Sequence, residues 1–231
     1  MLKIKRLIVS VLGWCRIYVS RVPIVSQEQF VTRIENEFIK KSQGVLHIGA
    51  HLGQEGERYS HYGVSVLWVE AIPSVFEELE KNISGFPNQV AACALLGDNN
   101  YSTVDFNLAS NGLASSSMFK FGHELGFNEI YMKSTISLPM IRLDSLYTSE
   151  SLAGYNHWVL DVQGAELLVL KGAGDLLRHC KSLLVEVSTR QVYEGGVSWY
   201  QLESFLSDFG LIPLWQPMEF SHENIIFSRL R

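Results

Sequence analysis

From residue 44 onward, short runs of β-branched and aliphatic residues alternate with longer amphipathic stretches, and this alternation narrows the possible folds more than any other feature. The runs "VLHI", "VSVLWVE", "HWVLDV" and "SLLVEVS" are too short for helices and too apolar for strands with one wet face. Helical stretches such as "VFEELEKNI", "AELLVLKGA" and "WYQLESFLSDFG" lie between and after them. Strands buried on both faces and separated by helices form a mostly parallel sheet covered on both sides. The last two runs, near "LIPLW" and "NIIFSR", have no helix between them, which predicts an antiparallel hairpin at one edge. An α/β fold is therefore expected. The 231 residues, 47% hydrophobic, suffice for one full core but are cramped for two.

Local signals place the remaining elements. Ser26 and Gln29 predict a capping box on a helix that carries Phe30, Ile34 and Phe38 at spacing four, and Ser74 and Glu77 predict a second box. One strand is expected across "NQVAACALL" and a half-exposed one at "YSTVDFNLA". Residues 108–135, rich in Ser and Gly around "SNGLASSSMF", interrupt the alternation and are expected to form a substrate loop or lid. Ser115, Ser116 and Ser117 lack a Gly-x-Ser-x-Gly elbow and read as hydrogen-bonding loop residues. Trp199, Tyr200 and Trp215 read as core packing rather than an interface.

The net charge of −5 hides an asymmetry: residues 1–21 hold five basic side chains and no acid, which leaves −10 for the rest. An acidic body excludes nucleic acid as an expected partner. We divide the chain into a basic, apolar N-terminal extension, 1–25, and one domain, 26–231. The apolar run Leu7 to Cys15 is shorter than the roughly 20 residues that span a bilayer, and Arg16 and Arg21 follow without a signal-peptide cleavage pattern. On a helix Leu7, Val11, Cys15 and Val19 share a side, as in an interfacial membrane helix or a helix packed on its own domain. Cys15, Cys93 and Cys180 form neither a disulfide framework nor a zinc motif. A cytoplasmic protein, with peripheral contact to the inner face of a membrane through residues 1–21, is the expected setting.

In a parallel sheet of this kind ligands sit at the carboxyl ends of the strands. Three such ends are informative. The first is the turn Gly49 to Gly53 in "HIGAHLGQE"; the second is Glu70, 21 residues after Gly49; the third is Asp161 in "VLDVQGAE". A dinucleotide fingerprint, GxGxxG, shares the first two features, but here His51 and Gln54 replace glycines and obstruct a pyrophosphate. S-adenosylmethionine fits better. Gly49, Ala50, His51, Gly53 and Gln54 would pass under its methionine part, Glu70 would hold the ribose, Ala94 or Leu95 would flank the adenine, and Ala71 and Asp161 complete the expected cofactor-binding set. A nicotinamide oxidoreductase and a non-catalytic binding module remain alternatives at this stage. His47 and His51 mimic a metal pair, but they lie on a strand and turn rather than one helix face, so no metal is expected. His47 reads as a core residue. His61, His123, His179 and His222 read as solvated surface residues, and His157 precedes a strand.

The segments "HIGAHLGQE", "VLWVEAIP", "LDVQGAELLVLKGAG" and "LLVEVSTRQVYEG", in that order, resemble the FkbM-type methyltransferases over about residues 44–228. The most specific part is "DVQGAELLVLKGA", because family members carry Asp-Val-Glu/Gln-Gly-Ala-Glu before a Leu-x-Gly pattern. The resemblance implies a Rossmann-like class I methyltransferase fold: a mostly parallel seven-stranded sheet, an antiparallel C-terminal edge hairpin and helices on both faces. It implies methyl transfer from S-adenosylmethionine, here expected onto an oxygen, a hydroxyl of a carbohydrate or small metabolite. An alcohol must lose a proton in that reaction, and Asp161 is the expected acceptor, with His51 and Glu186 as competitors.

Overall fold

A computed structural model describes residues 26–122, 129–219 and 221–229. The N-terminal extension and His123 lie outside the described residues. The chain begins with α1 (Gln27–Lys41), β1 (Gly44–Ile48), α2 (Gly56–His61), β2 (Ser65–Glu70), α3 (Pro73–Ile83) and β3 (Gln89–Cys93). It continues through β4 (Leu95–Leu96), β5 (Tyr101–Ala109), β6 (Met132–Ile141), two short helices α4 (Leu143–Leu146) and α5 (Ser149–Leu152), and β7 (His157–Leu160). The last elements are α6 (Glu166–Ala173), β8 (Ser182–Ser188), α7 (Trp199–Asp208), β9 (Leu211–Pro213) and β10 (His222–Arg229). Among the described residues no helix is long and apolar enough to cross a membrane.

Seven strands form one sheet in the order β3-β2-β1-β7-β8-β10-β9. The first five run parallel, and β10 is antiparallel to both β8 and β9, which is the edge hairpin the sequence predicts. Chain order reverses between β1 and β7, so the crevice for a ligand opens above their carboxyl ends. Alternate residues of each strand feed opposite faces. Leu46, Ile48, Leu67, Val69, Trp158 and Leu160 pack on the side of α6 and α7, whereas Val45, Val66, Trp68 and Val159 pack on the side of α1 and α3.

Several local expectations are corrected. The Ser26–Gln29 capping box forms, but α1 buries Val31, Glu35 and Ile39, one residue off the predicted stripe. Phe30 is 47% exposed and meets Trp215 edge-on, and Phe38 stacks on His157. The buried Glu35 carboxylate is accommodated because Arg58 donates to it and His157 faces it. No Ser74–Glu77 box forms: α3 starts two residues earlier, at Pro73 with Ile72 as its N-cap, and the fixed φ of proline already suits a first turn. The strand expected across "NQVAACALL" divides at Ala94. Its second part, β4, leaves the main sheet and pairs with β6, which pairs with β5 in a separate three-stranded sheet. Regular structure thus claims both ends of the segment 108–135.

Candidate active site

The turn after β1 is shaped by its neighbours. At Gly49, φ is +83°, and an added Cβ would lie 1.8 Å from the backbone carbonyl oxygen of Asp161 at the end of β7. The missing side chain therefore admits another strand of the protein. Gly49 and Ala50 donate their N–H groups to the Val69 carbonyl at 2.9 and 3.1 Å. At Gly53 an added Cβ would meet Leu79 Cδ1 of α3 at 2.6 Å, so Gly53 serves the packing of α3 and does not line the cavity described next.

Glu70 ends β2 with its side chain only 6% exposed. Its Oε2 accepts the His51 N–H at 2.9 Å and its Oε1 the Ile72 N–H at 2.8 Å. Burial raises its pKa above the ordinary carboxylate value, and the two amide donors oppose that rise. Each carboxylate oxygen retains acceptor capacity beyond its amide bond.

A cavity of about 410 Å³ opens over this turn. Of the residues the sequence points to, Gly49, Ala50, His51 and Gln54 line it from the first turn, Glu70 and Ala71 from the end of β2, Ala94 and Leu95 beyond β3, and Asp161 beyond β7. Glu186 does not line it. Sequence reasoning missed the apolar wall of Ile72, Phe106 and Met118, and also Leu113, Ser116 and Gln163. The hydrophobic residues of β5 carried a strand signal, but nothing in their spacing shows that β5 crosses over the cavity.

Residues 110–118 form part of the roof. His51 Nε2 lies 3.0 Å from the Gly112 carbonyl and must carry the proton, while its Nδ1 accepts from Gln54 Nε2 at 3.1 Å. Neither ring nitrogen is free in this arrangement. Ser117 Oγ donates to the Gln163 carbonyl at 2.7 Å, and Tyr193 Oη gives its one hydrogen to Gln163 Oε1 at 2.5 Å, with the Ser115 carbonyl 3.3 Å away. The serines are bonded loop residues, with Ser116 Oγ accepting the Ala109 N–H at 3.0 Å.

Asp161 belongs to a polar cluster at the ends of β7 and β8. Gln163 Nε2 donates to Asp161 Oδ1 and, at 2.8 Å, to Glu186 Oε2. On the far side, Glu186 Oε1 pairs with His222 Nε2 at 2.9 Å, so His222 is a partnered residue and not merely a solvated one. Asp161 keeps open surface where it borders the cavity but is otherwise enclosed by protein. That enclosure, together with the nearby charge of Glu186, pushes its pKa well above the ordinary range. Glu166, 2% exposed, accepts the Gly164 N–H at 3.1 Å, and burial raises it to about 7. Two histidines serve the core: His47 stacks on Trp68 and bonds Tyr59 Oη at 3.1 Å, and His157, within β7, bonds Ser182 Oγ at 2.8 Å.

The family model described as the methyltransferase FkbM domain matches residues 47–212. The chain belongs to the FkbM methyltransferase family. It is a methyltransferase and its cofactor is S-adenosylmethionine, which sets aside the nicotinamide alternative. No curated protein sequence matches it. Among solved structures, the N-terminal domain of EvdMO1 with SAH bound superposes with a TM-score of 0.50 at 11% identity, covering 90% of this chain and 83% of that one. A SAM-dependent methyltransferase from Aquifex aeolicus gives 0.47 at 12% identity over 85% and 87% of the two chains. Aeropyrum pernix fibrillarin, in complex with natively bound S-adenosyl-L-methionine, gives 0.47 at 14% identity over 82% and 68%. At 11% identity the likeness to the EvdMO1 domain concerns the fold alone; the seven-stranded sheet with its antiparallel edge hairpin is the class I Rossmann-like methyltransferase architecture. The FkbM domain's own residues suit its cofactor: the cavity lies within the 300–1,000 Å³ typical of ligand sites, with an apolar wall and a buried acceptor, Glu70, at one end.

Proposed function

We propose that this FkbM methyltransferase transfers the methyl group to an oxygen, a hydroxyl of a carbohydrate or small metabolite. The observation that carries the reading is the Asp161 carboxyl, which borders the cavity and is backed by a second carboxylate, Glu186. An alcohol oxygen that gains a methyl group must shed its proton, and a carboxyl at the cavity wall is the group to receive it.

In this reading Glu70 accepts hydrogen bonds from the ribose hydroxyls, and Ile72, Leu95 and Phe106 flank the adenine. The bound cofactor supplies a methyl carbon made electrophilic by its sulfonium. Enclosure and the nearby Glu186 favour the neutral form of Asp161 in the free protein; a positive charge in the cavity favours its anion and readies it as a base. Holding the acceptor oxygen in line accounts for much of the remaining barrier, about 7–11 kcal/mol for well-oriented groups.

The acidic body remains the sole argument against nucleic acid, so the test includes RNA. The protein is incubated with methyl-labelled S-adenosylmethionine and, separately, with glycans, hydroxylated small metabolites and total RNA. Label in an alkali-stable ether of a glycan or metabolite is expected; label confined to RNA or to nitrogen would overturn the proposal. Peripheral membrane contact through residues 1–21 is likewise a proposal, checked by sedimentation with anionic vesicles with and without that segment.

A further inference from the structure

We propose that Gln163 is a positioning residue for methyl transfer: its side-chain amide fixes the Asp161 carboxyl at the cavity wall and ties it to Glu186. The inference rests on the reading of Asp161 as the group that receives the acceptor's proton.

The backbone shows how Gln163 reaches this place. It adopts a left-handed conformation, φ +54°, which a long side chain rarely takes, and Gly164 follows at φ +97°. Immediately after β7 this geometry lets the side chain reach both the Asp161 and Glu186 carboxylates. Its side-chain polar atoms are both engaged. Nε2 has two hydrogens and gives them to two carboxylates, Asp161 Oδ1 and Glu186 Oε2. Oε1 accepts from Tyr193 Oη at 2.5 Å, which fixes the orientation of the amide. The backbone carbonyl accepts from Ser117 Oγ, so the same residue is anchored to the roof of the cavity.

The chemistry demands such a bridge. Two carboxylates in contact repel, and a donor shared between them eases that repulsion and holds both in place. An amide can give one hydrogen to each without adding charge. A carboxylate at 163 would bring a third negative charge to the same spot. The charged groups around Asp161 are Glu186 on β8 and Glu166 at the start of α6, with His222 on β10 beyond Glu186.

Two variants test the inference in the full-length protein without cofactor. Gln163→Met keeps the length of the side chain and removes its donors; Tyr193→Phe keeps the ring and removes the hydroxyl that orients the amide. NMR of labelled aspartate carboxyl carbons follows the titration of Asp161, while thermal melting reports folding. Gln163 lowers the pKa of Asp161 by donating to its charged form. The midpoint should therefore rise by about one pH unit in Gln163→Met and by less, in the same direction, in Tyr193→Phe. The ascending limb of the pH–rate profile should move by the same amount, with the Kd for S-adenosylmethionine changed less than about threefold. An unmoved Asp161 midpoint in Tyr193→Phe and in folded Gln163→Met would overturn the proposal. Should Gln163→Met not fold, Tyr193→Phe alone decides. Because the titration needs no turnover, failure of Asp161 as base, seen in Asp161→Asn activity, is separately visible.

Discussion

The Glu70 carboxylate accepts the backbone N–H of His51 at 2.9 Å, so the end of β2 holds the turn that follows β1. One side chain thus has two tasks, shaping the turn and offering acceptors to the cavity. Glu70→Ala should weaken S-adenosylmethionine binding by about 2–3 kcal/mol, the range for lost charge-assisted bonds. It should also destabilise the fold by about 1–3 kcal/mol, because the N–H groups of His51 and Ile72 lose their acceptor. Calorimetry and denaturant titration measure the two effects separately. Unchanged affinity would place the ribose elsewhere.

Gly49 and Gly63 both have left-handed backbones, with φ +83° and +66°, but only Gly49 is crowded. An added Cβ at Gly49 would lie 1.8 Å from the Asp161 carbonyl, whereas nothing lies within 4 Å at Gly63. Gly63→Ala should cost only the conformational penalty, about 1–2 kcal/mol. Gly49→Ala must also push β7 away and should cost about 3 kcal/mol or more. Equal melting temperatures for the two variants would show that the β1–β7 approach is not the reason for this glycine.

Glu166 gives the fold a pH dependence of definite sign. Burial raises its pKa from 4.5 to about 7, so the folded state holds a proton that the unfolded chain releases earlier. Its contribution to stability is full below about pH 4.5 and is lost as pH rises through about 7. The loss is about 3 kcal/mol at 1.36 kcal/mol per unit. Glu166→Gln, which keeps an acceptor for the Gly164 N–H, should lack this loss. Denaturant titrations at pH 5 and pH 8 should show the variant gaining on wild type by about that amount; a constant difference would mean that Glu166 is ionised throughout.

What the sequence reveals follows from the kind of signal each feature carries. The strands β1, β2, β7 and β8 are apolar on both faces and bounded by turn residues, so their existence and parallel arrangement are legible. The second sheet is not, because the alternation in β5 announces a strand without naming its partner. Phe30, Ile34 and Phe38 look like the buried stripe of α1 because Glu35, which lies in the true stripe, reads as a surface residue until Arg58 and His157 are seen beside it. At the site, Glu70 and Asp161 are marked by their places after apolar runs, where strand ends deliver side chains to the crevice. Gly53 carries the same glycine signal as Gly49 but answers to α3, a cause that spacing cannot separate from ligand approach. Gln163 stands inside the most specific motif, yet spacing does not announce its left-handed backbone, and its second carboxylate partner, Glu186, comes from β8. His222 pairs across strands, which a lone histidine in sequence does not announce.

Asp161→Asn separates the mechanistic role of this residue from a structural one. The Asn oxygen can still accept from Gln163 Nε2, and its new amide hydrogens can donate toward Glu186, so the cluster keeps its bonds and loses a repulsion between carboxylates. Stability should therefore be equal to or greater than that of the wild type. If Asp161 only organises the end of β7, methyl transfer should continue almost unimpaired. If it receives the acceptor's proton, the Asn variant has no comparable base, and single-turnover transfer should slow by roughly 10²–10⁴-fold, the usual contribution of a general base. Cofactor binding should change far less, since Glu70 and the apolar wall remain. A folded Asp161→Asn protein that methylates at nearly the wild-type rate would remove Asp161 from the chemistry. The next group to test is then Glu186, because His51 already commits both ring nitrogens to Gly112 and Gln54.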